Sequence, residues 1–233
     1  MVTAIIQARM GSTRFRGKTL MEIAGQPLLA WVLESVRQLP FVQTSIVATT
    51  YLAEDDDIAT FCSDHKLECF RGDPVNVLSR FSAIAVSLPQ DGQIIRVTAD
   101  NPLNWPEKCI DLYRLHLKSG SDYTAVSGLS HIVWEVMRVS ALVRMAEEAD
   151  LSDYDREHVT PYFRTNPEKF SIREVVPAEL GLSPALDQLL TVDTVTDFQR
   201  FERLTTALDV RAVTDFSRIF TWVAADADRY NGS

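Results

Sequence analysis

Short β-branched runs alternate with stretches of helical period along the first hundred residues, and that rhythm restricts the chain to an α/β fold. "TAIIQA" (3–8) reads as a strand, and Leu29, Val32, Leu33 and Val36 then recur at i, i+3, i+4 and i+7. "TSIVATT" (44–50) reads as the next strand. "DDDIATFCSDH" (55–65) reads as a helix with acids in its first turn, where the macrodipole favours them. "LECFRG" (67–72), the helical "NVLSRFSAIAVSL" (76–88) and the strand "QIIRVTAD" (93–100) continue the series. Such alternation implies right-handed crossovers and a mostly parallel sheet covered by helices on both faces, with ligands beyond the carboxyl ends of the strands.

The rhythm changes at "YTAVSGLSHIVWEVMRV" (123–139), which reads as antiparallel hairpin material, with "YDREHVTPYFRTNP" and "FSIREVV" after it. An inserted antiparallel subdomain is expected over 123–177. The sheet is expected to resume at "QLLTVDT" (188–194), before a helix with Phe198, Phe201, Leu204 and Leu208 on one stripe. With 233 residues and 46% hydrophobic content, a single globular domain spanning 1–233 is expected. No internal repeat interrupts it.

The opening "IIQARMGSTRFRGKTL" (5–20) stands out against this background. Arg9, Arg14, Arg16 and Lys18 all precede Glu22, the first acidic residue, in a chain of formal net charge −9. The whole-molecule field repels nucleic acid and anionic membranes, so an anion site has to depend on a local cluster. A P-loop needs four residues between its glycine and its Gly-Lys pair, whereas five separate Gly11 from Gly17 here, and "GQP" at 25–27 interrupts the helix that would have to follow. The underlying chemistry survives: small residues let backbone N–H groups approach oxygens, and Arg and Lys neutralise them. The alternative is a solvated basic turn. Position directly after the first strand favours the anion site.

Three cysteines, Cys62, Cys69 and Cys109, show neither CxxC spacing nor a paired Cys/His pattern, which fits a reducing cytoplasm. No run approaches the ~20 apolar residues of a membrane span, and the N-terminus has no signal-peptide pattern, so a cytoplasmic protein is expected.

"IIQARMGSTRFRGKTL" resembles the N-terminal signature of the sugar-acid cytidylyltransferases, and most closely their spore-coat polysaccharide branch. "RGDPVNVLSRF", "RVTADNPL", "EHVTPYF" and "LTVDTVTDF" follow in family order, so the resemblance runs from Ile5 to Phe198. It implies a Rossmann-like nucleotidyltransferase fold, commonly homodimeric, in which the inserted region helps to build the neighbouring subunit's sugar site. The implied reaction transfers CMP from CTP to a 2-keto-3-deoxy sugar acid. Arg9, Gly11, Ser12 and Lys18 would hold the triphosphate, and Asn76 and Arg80 would contact the nucleoside. Asp100 and Asp193 would hold magnesium and, with Lys18, form the catalytic set, while Glu135 keeps the family register near the sugar. Three departures bear on the substrate: Arg16 replaces a usual proline, "TADNPL" replaces "TGDCPL", and "WEVMRV" stands where relatives carry "VEVF".

Plainer roles stand beside these. Asp100 could cap the helix beginning near Pro106, and Asp193 could accept backbone bonds in a βα turn. His158 could be a base or a structural hydrogen-bonding residue. Arg156 could meet a sugar carboxylate or pair with Asp153 or Glu157. The acidic runs "EDDD" and "EEAD" read as helix-terminus and solvated charge. Rival functions are a nucleotidyltransferase for another sugar phosphate or alcohol, and a catalytically silent nucleotide-binding homologue.

Overall fold

The computed structural model describes residues 1–183, 190–210 and 216–231. After strand β1 (Val2–Gln7), a two-residue hairpin of β2 (Glu22–Ile23) and β3 (Gln26–Pro27) leads into helix α1 (Leu28–Arg37). β4 (Thr44–Thr50), α2 (Asp56–Asp64), β5 (Glu68–Gly72), α3 (Val77–Val86), β6 (Gln93–Thr98) and α4 (Pro106–Ser119) follow in strict alternation. β7 (Tyr123–Val126), β8 (Val136–Arg138), α5 (Val139–Ala146), α6 (Asp153–His158), α7 (Pro161–Thr165) and β9 (Ile172–Val175) come next, and α8 (Val195–Ala207) and α9 (Phe216–Asn231) end the described chain.

Seven strands form one sheet in the order β5-β4-β1-β6-β8-β7-β9. β5, β4, β1 and β6 are mutually parallel, so the chain winds outward from β1 to β5 and then returns to the other side of β1 with β6. That reversal leaves a crevice at the carboxyl ends of β1 and β6. Gln7 pairs with Thr98 in register, so the segments leaving both strands start at the same height.

Strand alternation sorts the core into two layers. Ala4 and Ile6 of β1 point to the face covered by α1, α4, α8 and α9, where Leu29, Val32, Leu112, Phe201 and Ile219 are buried. Ile5 points to the opposite face, against Phe81 and Ile84 of α3, Leu142 of α5 and Phe163 of α7.

Residues 123–177 supply the antiparallel part of the architecture, continuous with the main sheet: β8 runs antiparallel to both β6 and β7. Two details differ from expectation. "YDREHVTPYF" forms the short helices α6 and α7, because Ser152 and Asp155 make a reciprocal capping box and Pro161 opens the second helix. The strand expected at "QLLTVDT" lies partly outside the described residues, and 190–194 carry no strand. They are joined to the segment after β6 by Val192 N–H donating to the Asp100 carbonyl at 2.8 Å and by the Thr191 hydroxyl donating to the Asn101 side chain at 2.9 Å.

Candidate active site

The loop after β1 folds on its own backbone. Met10 C=O accepts from the N–H groups of Ser12 and Gly17, each at 2.9 Å, and the Thr19 hydroxyl donates to Arg9 C=O at 2.8 Å. Gly17 lies at φ 76°, a left-handed conformation that glycine adopts without steric cost, and it turns the chain into the 3-10 turn Lys18–Leu20. Asp55, in the acidic run read as helix-terminus charge, is instead 1% exposed. Its carboxylate accepts Met10 N–H at 2.6 Å and the Thr50 hydroxyl, fixing the loop to the ends of β4 and α2. On the other side Phe15 packs edge-on against Phe198 of α8 at 5.5 Å.

Lys18 is thereby driven into the crevice, where its side chain is 8% exposed. Its ammonium donates to Val192 C=O at 2.7 Å, Asp193 Oδ1 at 2.9 Å and Asp100 Oδ2 at 3.3 Å. Three donors meet three acceptors, so the buried ammonium is fully hydrogen-bonded. Arg14 closes on the other oxygen of Asp193 at 2.8 Å. Neither aspartate takes its plainer role. Asp197, not Asp193, accepts the backbone N–H groups at the start of α8, at 3.2 Å from residue 193 and 2.9 Å from Thr194. α4 begins at Pro106 behind Trp105, with no side-chain cap.

These residues line a cavity of about 510 Å³, in which six cationic side chains, Arg9, Arg14, Lys18, Arg80, Arg96 and Arg164, face four carboxylates. That local excess of positive charge reverses the sign of the whole chain. Arg80 is 2% exposed and donates to Ala48 C=O at 3.2 Å, while its Nε is buried without a partner. Burial, with the nearby Arg9 cation adding to it, lowers the Arg80 guanidinium to about 10. Two arginines held close against mutual repulsion, one with an unused donor, are a site prepared for an anion.

A second network occupies another part of the same cavity. Glu135 accepts from Arg96 at 3.1 Å, Arg164 at 3.2 Å, the Thr160 hydroxyl at 3.1 Å and the Tyr123 hydroxyl. Burial pushes its carboxyl upward, but Arg96, the Tyr123 hydroxyl and Arg164 outweigh that and hold it below the usual range. Glu135 is thus committed to positioning the two arginines, and its expected contact with a sugar is not what its geometry favours. The sequence reading missed Arg96 and Arg164. Arg96 carried a signal, as a charged residue inside the largely apolar run of β6, whereas Arg164 carried none beyond following "EHVTPYF" directly.

The remaining expected residues divide. Arg9, Ser12, Lys18, Arg80, Asp100, Glu135 and Asp193 are brought together around the cavity. Asn76 is not: it lies off the lining, and its side chain accepts Ser79 N–H at 2.9 Å and caps α3. Gly11 stays in the loop but off the cavity lining, and a Cβ there would come within 2.6 Å of the Glu54 carboxylate. Arg156 on α6 also lies off the lining, while its neighbours Glu157 and His158 reach it. His158 is exposed and packs on Tyr154 at 4.3 Å. It is followed by Val159 at φ 68°, a strained conformation for a β-branched residue, and then by Thr160 on the lining.

Among the described residues no three His, Cys, Asp or Glu side chains converge as a metal cluster. A divalent cation here would therefore rely on Asp100 and Asp193, whose carboxylates already reach one common point of positive charge, the Lys18 ammonium. Two carboxylates completed by ligand oxygens fit magnesium, which rarely occupies an all-protein cage.

Residues 3–218 match the cytidylyltransferase family. The spore coat polysaccharide biosynthesis protein SpsF of Bacillus subtilis is 31% identical over 229 residues, 96% of this chain and 94% of its own. A 3-deoxy-manno-octulosonate cytidylyltransferase of Polynucleobacter asymbioticus is 33% identical over 107 residues, 44% of this chain and 40% of its own. In fold, the structure of a cytidylyltransferase from Leptospira borgpetersenii aligns with a TM-score of 0.83 at 24% identity, covering 97% of this chain and 95% of that one. A basic loop and paired aspartates at the crevice of a parallel sheet thus coincide with a match along nearly the whole sequence: the chain belongs to the cytidylyltransferase family, near its spore-coat polysaccharide branch.

Proposed function

We propose that the protein transfers CMP from CTP to a 2-keto-3-deoxy sugar acid and releases pyrophosphate, in the synthesis of a surface polysaccharide or glycoconjugate. One observation carries the reading: a single cavity presents two separate cationic groups, one on the loop and α3, the other on β6 and α7. A triphosphate and an acid acceptor need two such groups. The names of the spore-coat and octulosonate relatives support the choice of acid.

In this reading Arg9, Ser12, Arg14 and Arg80 take the triphosphate. Lys18 exchanges its aspartate contacts for phosphate oxygens as the nucleotide enters, and it stays with the pyrophosphate as charge builds there. Magnesium held by Asp100 and Asp193 would neutralise charge on the α-phosphate and the leaving group. Arg96 and Arg164, fixed by Glu135, receive the acceptor carboxylate and bring its hydroxyl into line with the α-phosphorus. The homodimer implied by the family belongs to the same proposal, and light scattering at twice the chain mass is its check.

Asp100→Ala tests the chemistry. Pyrophosphate release should fall by roughly 10²–10³ in kcat, the scale on which one preorganised electrostatic group acts, while the melting temperature of the free protein changes little. Undiminished turnover would remove Asp100 from the mechanism.

A further inference from the structure

Asn101 is one of the two residues by which "TADNPL" departs from "TGDCPL", and it lies where the segments carrying Asp100 and Asp193 meet. It is 4% exposed. Its Nδ2 donates to the Thr98 hydroxyl oxygen at 2.5 Å, and its backbone N–H donates to Thr98 C=O at 3.1 Å, which ties it to the end of β6. Its Oδ1 accepts the hydroxyl of the buried Thr191 at 2.9 Å. One residue back, Asp100 C=O accepts Val192 N–H at 2.8 Å. Two bonds thus clasp residues 100–101 to residues 191–192, next to both aspartates in the chain.

We propose that Asn101 is a positioning residue that sets the separation of Asp100 and Asp193, and with it the affinity for the divalent cation that the two would share. The inference rests on the function proposed above and concerns the cation's side of that site. Residues 190–194 carry no strand, so no ladder fixes the height of Asp193 against the end of β6. Burial of Leu190 and Val192 holds the segment to the core, but apolar contact has no direction, whereas a hydrogen bond does. In the free protein the Lys18 ammonium also bridges the carboxylates, at 2.9 Å to Asp193 and 3.3 Å to Asp100. Once phosphate draws Lys18 away, two like charges face each other, and the clasp keeps them at a spacing that one cation bridges. An amide suits the position because one short side chain carries both a donor and an acceptor. A cysteine there offers only a weak S–H donor and a weak sulfur acceptor.

Thr191→Val removes the hydroxyl of the clasp at nearly constant volume, Asn101→Ala removes the amide, and Thr191→Ser restores a hydroxyl. With CTP and a 2-keto-3-deoxy sugar acid saturating, Thr191→Val and Asn101→Ala should raise the magnesium needed for half-maximal pyrophosphate release by roughly 10- to 100-fold, the usual cost of losing a group that orients a metal ligand. Saturating magnesium should return kcat to within about twofold of the parent, with the KM for the acid unmoved. Thr191→Ser should behave as the parent, and the double variant Asn101→Ala/Thr191→Val should be no worse than Asn101→Ala alone, because both changes break one bond. Binding of Mn²⁺ in the presence of CTP and without acceptor, read by water-proton relaxation, should weaken by the same factor. Unchanged magnesium and Mn²⁺ affinities in the variants, while the parent binds Mn²⁺ with CTP, overturn this inference and leave the proposed function standing. A fall in kcat that magnesium does not repair, or a rise in the KM for the acid, overturns it as well. A parent that neither binds Mn²⁺ with CTP nor releases pyrophosphate overturns the proposed function and this inference with it.

Discussion

Glu135 shows how a buried charge can serve a ligand it does not touch. Its carboxylate is 2% exposed and saturated by two arginines and two hydroxyls, so its removal leaves Arg96 and Arg164 facing each other uncompensated. Glu135→Gln should cost about 3 kcal/mol of stability, the scale for breaking a buried pair from one side. Thermal melting should register roughly 6–12 °C for a chain of this size. Arg164 is 41% exposed at its side chain and can be removed at less structural cost. Arg164→Ala should raise the KM for the acceptor acid by roughly 10- to 100-fold, the value of one hydrogen bond to a charged group, while CTP stabilises the variant as it does the parent. Much of this scale was legible in the sequence. Lys18 and Asp100 stand beyond the ends of β1 and β6, where position after a strand puts them, and Asp193 meets them from 190–194, which carry no strand. Asn76 caps α3, and a sequence does not distinguish an amide that caps a helix from one that contacts a base. Arg96 and Arg164 were missed because their significance is made by Glu135, which pairs with them across 39 and 29 residues.

At the scale of elements, the site depends on polar side chains that lock neighbouring segments. Asp55 joins the loop to β4 and α2, and Asp55→Ala should weaken nucleotide binding without removing any group from the cavity lining, as read by titration calorimetry. His116 does the same for α4, β6 and β7. Buried in α4, it contacts Thr124 at 2.8 Å and Gln93 at 2.7 Å through its two ring nitrogens. Burial, with Arg138 adding, lowers it to about 4 from its ordinary 6.5. The unfolded chain therefore binds a proton there that the folded chain refuses, so stability is full above about pH 6.5 and is lost as pH falls toward about 4. Urea unfolding across that range should show the slope, and His116→Gln should flatten it. The alternation of β1 to α4 was readable because both periods are long enough to recognise. α6 and α7 were taken for hairpin material, since five- and six-residue helices hold too few turns to show a period, although Ser152, Asp155 and Pro161 marked their starts. The segment 190–194 looked like a strand because its apolar residues are buried, yet it meets the end of β6 through bonds to Asp100 and Asn101 and not through a strand ladder.

For the whole molecule, the relevant contrast is between a chain of net charge −9 and a cavity with more cations than carboxylates. The local field must hold a polyanion against the global one, and both are screened by salt. Nucleotide affinity should fall roughly three- to tenfold between about 20 and 200 mM monovalent salt, measured at constant magnesium. The parallel half of the sheet and the edge that carries the cavity followed from the sequence, because a basic loop and a carboxylate leave the apolar strands β1 and β6 of one series. That residues 123–177 continue the same sheet did not follow, since pairing of β8 with β6 is a long-range choice that hairpin-like patterning leaves open. The central claim is that this sheet edge joins the CMP of CTP to an acid and releases pyrophosphate. Its most direct test is pyrophosphate release with magnesium and each of CTP, UTP, ATP and GTP, against a panel of 2-keto-3-deoxy sugar acids with and without amino substituents. Release with CTP alone, and with one class of acid, is the expected result. Release that favours another triphosphate, or silence across the panel while CTP still raises the melting temperature, would contradict it.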